Sequence, residues 1–136
     1  MTTATTEIIL VPAKTAVTAK GDGQAVDVSG GRVFLATLAI TKIIEQESLD
    51  VAIFGSTDGA AWDAKSLAAF RQEFYCGEYP LLLDLSAHPS VKFLRAHWEV
   101  ARWGRGVEMP MFEFGVSMKE VPAAILKEAA TMVSKN

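Results

Sequence analysis

Polar and apolar residues alternate along much of this chain with a period of two, as in strands that bury one face. In Val91 to Trp103, Leu94, Ala96, Trp98 and Val100 share one side, while Arg95, His97 and Glu99 share the other. Met111 to Met118 repeats the pattern with Phe112, Phe114, Val116 and Met118 inward, and Leu49 to Ser56 groups Leu49, Val51 and Ile53. The run Arg32 to Ile44 breaks the alternation, because Val33, Phe34, Leu35, Leu38, Ile40, Ile43 and Ile44 place apolar groups on both sides. Its β-branched residues and flanking glycines favour a strand over a helix. A two-sided apolar strand belongs either in a sheet covered on each face or in a contact between subunits.

Between these runs lie turn signals. Thr6 to Val11 reads as a strand stopped by Pro12, and Thr15 to Ala19 as another leading into Lys20-Gly21-Asp22-Gly23. There Asp-Gly predicts a hairpin, with Gln24 to Ser29 as the returning strand and Gly30-Gly31 as the next turn. Glu45 to Ser48 reads as a polar loop in which Glu45 and Glu47 are solvated. Ser56-Thr57-Asp58-Gly59 is a turn, since Asp bonds nearby backbone and Gly tolerates positive φ, and Trp62 folds back over the sandwich edge. Ala64 to Phe74 reads as a short helix or an irregular strand, Leu81 to Leu85 as a strand, and Gly104-Arg105-Gly106 as a turn. Many strands separated by Gly, Pro and Asp turns predict an all-β fold, an antiparallel β-sandwich of jelly-roll-like form.

The end of the chain differs. Pro122 suits a first helical turn, and Ala123 to Val133 is rich in helix formers with Ile125, Ala129, Met132 and Val133 on one stripe. The expected organisation is an extended segment over residues 1–14, a sandwich over 15–120 and an amphipathic helix over 121–136. That helix packs either on its own sheet or on a neighbouring subunit.

Composition narrows the function. A chain of 136 residues, half of them hydrophobic and 21% charged, is ordinary material for one globular domain. The net charge of −3 and the scattered basic residues speak against nucleic acid, which needs a concentrated basic surface. The single cysteine, Cys76, allows no internal disulfide and reads as a small buried hydrophobe with no local base to activate it. The N-terminal stretch lacks the charged and apolar regions of a signal peptide, and no apolar run is long enough to span a bilayer. The reading is therefore synthesis in the cytoplasm, with no membrane partner.

No motif assembles an active site. Neither a phosphate-binding glycine loop nor a dinucleotide fingerprint is present, and Gly104-Arg105-Gly106 lacks a third glycine. His88 and His97 have no further ligand at zinc spacing. Gly55-Ser56-Thr57-Asp58-Gly59 resembles a nucleophile elbow in composition but not in spacing, so it reads as a turn. Asp58 and Asp63 lack the dense alternating acids of a calcium loop. The expectation is a protein without catalysis, metal or cofactor.

The stretch Leu49 to Trp62, reading Leu-Asp-Val-Ala-Ile-Phe-Gly-Ser-Thr-Asp-Gly-Ala-Ala-Trp, resembles a pattern of small β-sandwich accessory virion proteins from tailed phages and prophages. Val91 to Val100 resembles that group's long strand with an Arg and a Trp, and Phe112 to Met118 its closing strand; the similarity covers Thr15 to Lys119. Ala64 to Tyr79 and the C-terminal helix lie outside the pattern. The resemblance implies a structural role in capsid decoration, head completion or the tail, and a location in the virion. On this reading the partners are copies of the chain itself or a major shell protein. Candidate contacts are Phe34, Leu38 and Ile40 in the two-sided strand and Ile125, Ala129, Met132 and Val133 in the tail. Addition of strands at sheet edges is one way to use such surfaces. The alternative is a carbohydrate- or cell-surface-binding module, in which Trp62, Trp103 or Tyr79 would stack on a glycan.

Overall fold

The alternation of the sequence is realised in two antiparallel sheets whose apolar faces meet. A computed structural model describes residues 7–28, 32–43, 47–102 and 111–121. Among these the strands are β1 (Ile8–Val17), β2 (Gly21–Asp22), β3 (Val26–Asp27), β4 (Val33–Ile43), β5 (Glu47–Ser56), β6 (Ala68–Ala69), β7 (Gly77–Asp84), β8 (Phe93–Arg102) and β9 (Phe112–Glu120). The first sheet has the order β1-β9-β4-β7, and the second β2-β8-β5-β6, with β3 also paired to β8.

The pairings nest. β1 joins β9, the broken strand β2/β3 joins β8, β4 joins β7 and β5 joins β6, and successive pairs alternate between the two sheets. A ribbon of antiparallel pairs wound in this way is the jelly-roll topology.

Period-two patterning decides what lies inside. Leu49, Val51 and Ile53 of β5 and Leu94, Ala96 and Trp98 of β8 meet Phe34, Ala36, Leu38 and Ile40 of β4 and Phe112, Phe114, Val116 and Met118 of β9 in one core. Each fully buried Phe, Leu or Ile contributes roughly 1.5–3 kcal/mol relative to exposure. Trp98 and Phe114 cross between the sheets edge to face with ring centroids 5.6 Å apart. The indole N–H of Trp98 donates to the Ala19 carbonyl at 3.1 Å, so the ring is buried without an orphaned donor.

Several local expectations are corrected. β1 does not stop at Pro12 but runs through it to Val17, so the boundary expected after residue 14 falls within a strand. Proline is tolerated because β1 is an edge strand and needs donors on one side only. The register along β9 shifts between Val11 and Thr15, where Lys14 takes φ of 61°. The bulge presses onto β9: a Cβ on Gly115 would lie 2.8 Å from the Ala13 Cα, so only glycine fits.

Asp22-Gly23 closes no hairpin. Gly21 and Asp22 pair instead with Trp98 and His97, far along the chain. Of the two readings of Ala64 to Phe74 the irregular strand holds: it runs beside β5, with Leu67 and Phe70 donating their backbone N–H groups to the Ile53 and Val51 carbonyls at 2.8 and 2.9 Å. β7 starts at Gly77, ahead of the expected Leu81. Glu47 is not a solvated loop residue but opens β5 at 1% exposure, where its Oε1 accepts the Met111 N–H at 2.8 Å. Cys76 is exposed, not buried. Gly30-Gly31, Trp103 and the C-terminal helix with Ile125, Ala129, Met132 and Val133 lie outside the described residues.

Candidate functional site

With the inner faces consumed by the core, the surfaces available to a partner are the two outer faces and the loops. On the first sheet, successive rows across the strands can be read from the register. Leu35 lies between Lys119 and Leu82, Thr37 between Ser117 and Pro80, and Ala39 between Gly115 and Glu78. Ile9 extends the middle row beyond Ser117. Ile9 and Leu35 are 44% and 39% exposed, and lie on neighbouring rows of one face. Because Thr37, Ala39 and Ser117 are small, they leave a shallow hollow of about 340 Å³ that Glu7, Glu78 and Lys119 also border.

The outer face of the second sheet is tied together by polar side chains. His97 Nδ1 lies 2.8 Å from Asp22 Oδ1, and its Nε2 lies 3.2 Å from Glu99 Oε2. A carboxylate only accepts, so each contact is a hydrogen bond when the facing nitrogen carries its proton. The two carboxylates sit at opposite ends of the ring, so no single ion can take all three groups. Among the described residues no cluster of His, Cys, Asp or Glu is suited to a metal. Phe54 meets the His97 ring edge-on at 5.9 Å, and Gln72 donates to Asp50 at 3.0 Å. A smaller hollow of about 180 Å³ lies over Ala52 and Ala69, walled by Phe54, His97, Asp50 and Glu99.

Neither aromatic candidate for glycan stacking that the structure describes is free. The Arg95 guanidinium lies 4.4 Å above the centroid of the Trp62 ring. Tyr79 donates its hydroxyl to the Tyr75 carbonyl at 2.7 Å and so braces the loop before β7. Phe34, Leu38 and Ile40, expected as contacts between subunits, are 1%, 0% and 3% exposed and belong to the domain's own core. The two-sided strand does present a face, but it is that of Leu35, Thr37 and Ala39. Ile9 of this face was not singled out in the sequence, although its position opposite the inward Ile8 and Leu10 was a signal.

The remaining polar candidates hold local structure. Ser56, 1% exposed, accepts the Gly59 N–H at 2.9 Å, and Gly59 takes φ of 79° as the turn requires. Hydrogen bonds from the Ala61 and Ala60 backbone and from the Ser56 hydroxyl hold the Asp58 carboxyl below the usual aspartate range. The backbone carbonyl of His88 accepts from Arg32 Nη1 at 3.2 Å. Asp22 is the polar-face residue that sequence reading missed, because its turn signal hid a pairing to β8.

No protein-family model matches the chain. Nor does a search of curated proteins give a match. Among solved structures, the chain is similar to the SPBc2 prophage-derived protein YomS, with a TM-score of 0.52 and 11% sequence identity over 87% of this chain and 94% of that one. The likeness extends along nearly the whole of both chains, and at that identity it speaks for the shared fold. Among the described residues no helix is long and apolar enough to cross a membrane.

Proposed function

We propose that this chain is a non-enzymatic structural component of phage or prophage type, which self-associates or coats a larger particle. The observation that carries this reading is the outer face of the first sheet, where Ile9 and Leu35 stand exposed among small residues on long, regular strands. Such a face loses little polar hydration when covered, so its burial favours association. The end-to-end likeness to a prophage-derived protein supports the same assignment. On this reading the partners are further copies or a shell protein, and the working location is the virion.

A glycan-binding module would need an open aromatic platform. Trp62 beneath Arg95 and Tyr79 committed to its loop offer a poor one, and the aromatic that does stand open is Tyr75, 72% exposed beside Phe74. Light scattering on a sizing column, with negative-stain microscopy of the same fractions, tests the proposal. A defined multimer is expected. A chain that stays monomeric to about 1 mM, the range where even weak specific contacts form, overturns self-association.

A further inference from the structure

We infer that the outer face of the first sheet is a contact between two copies of this chain, packed face to face about a twofold axis. The inference rests on the assembly reading above and deepens it by naming the surface and its pairing. Three observations lead to it.

The first concerns the edges of the sheet. Exposed strands ordinarily pair by adding a neighbour through free backbone donors. The edge strands of this sheet are β1 and β7, and each carries a proline in mid-strand, Pro12 and Pro80. Proline removes a donor and φ is fixed, so neither edge presents an unbroken ladder to a second copy. The route left open is the face.

The second is charge placement. Lys119 lies in the Leu35 row and Glu78 in the Ala39 row, two strands apart. They are separated by about 13 Å along the strands and about 10 Å across them. A twofold axis in the contact plane can exchange these corners, so that Lys119 of each copy meets Glu78 of the other. Glu7 borders the face beside Lys119, and between the corners the rows are Ile9, Ser117, Thr37 and Pro80, all uncharged. The Lys119 corner also carries Glu7, so exchange sets a Lys–Glu pair of one copy against Glu78 of the other, and the Lys119–Glu78 contact between copies is the one an isologous pairing of this face would use.

The third is size. Four strands about 4.8 Å apart and up to about 33 Å long give roughly 600 Å² per copy. The total of about 1,200 Å² lies at the lower limit for a specific interface, which predicts a weak pair in solution that a multivalent particle would reinforce.

Sedimentation equilibrium on the full chain tests this, comparing wild type with Leu35→Asp, Lys119→Glu, Glu78→Lys and the double variant Lys119→Glu/Glu78→Lys. Thermal melting of each checks that it is folded. Each single variant is expected to weaken association about tenfold or more, because a twofold axis repeats every contact, and the double variant to return within about threefold of wild type. If wild type associates and all variants match it, the contact lies elsewhere and the assembly reading stands without this inference. Single variants that weaken association with no recovery in the double variant overturn the Lys119–Glu78 pairing. A wild-type chain that is monomeric throughout overturns the inference and self-association with it, and leaves coating of a shell protein as the assembly reading.

Discussion

On the outer face of the second sheet, Asp22, His97 and Glu99 hold one another, Arg95 stacks on Trp62, and Gln72 reaches Asp50. On the outer face of the first sheet, the corresponding rows carry Leu35, Thr37, Ala39, Ser117 and Ile9. Strand length accounts for the difference. In the second sheet β2, β3 and β6 have two residues each, so their backbone ladders are brief and side chains on the surface add the missing ties. In the first sheet β1, β4, β7 and β9 have 10, 11, 8 and 9 residues, and β4 is paired along both sides. A sheet secured by its own backbone needs few ties among its outer side chains, of which Thr41 to Glu113 at 2.9 Å is one, and the Leu35, Thr37 and Ala39 rows are left to meet something else.

This contrast can be broken from the inside out. Phe114→Ala removes the ring that meets Trp98 across the core and should cost about 3–5 kcal/mol, seen as a large fall in the chemical-denaturation midpoint. Glu47→Ala strands the Met111 N–H at the junction of β5 and β9 and should cost about 1–3 kcal/mol by the same measurement. A double-mutant cycle of Trp62→Ala and Arg95→Ala should return a coupling of about 0.5–1 kcal/mol on the second outer face. Leu35→Thr on the first outer face should change stability by no more than about 0.5 kcal/mol. Equal losses of stability from the Arg95 and Leu35 substitutions would abolish the distinction between the faces.

How much of this was legible depended on whether the determining partner was near in sequence. The inward faces of β5, β8 and β9 could be read directly, because half-buried antiparallel strands write their burial as alternation. In β4 both sides are apolar, so the pattern announced a strand without saying which side is interior. Thr37 and Thr41 mark the outward side, yet the size of Phe34, Leu38 and Ile40 points the sequence reading to them as surface contacts. Pro12 reads as a stop because a sequence does not show that a strand lies at an edge, where the lost donor costs nothing. Asp22-Gly23 has the local chemistry of a hairpin, but the Trp98 indole decides the outcome: a Cβ on Gly21 would lie 3.0 Å from Trp98 Cζ2. Burial of Glu47 depends on Met111, and nothing adjacent to that glutamate signals it.

The nested order of pairing also governs how the chain can reach this state. The innermost pair, β5 with β6, closes a short loop, whereas Ile8 must find Met118 before the first sheet is complete. Closing longer loops costs more chain entropy, so the inner strands should assemble early and the outer ones late, giving slow folding for a chain of this size. Until β9 arrives, the inward side of β1 and one flank of β4 stand open together. The two prolines on the outer strands then have a second consequence, since Pro12 lies in the very strand that waits longest: it blunts an unpaired flank during the interval when a half-folded molecule is most prone to join the wrong neighbour.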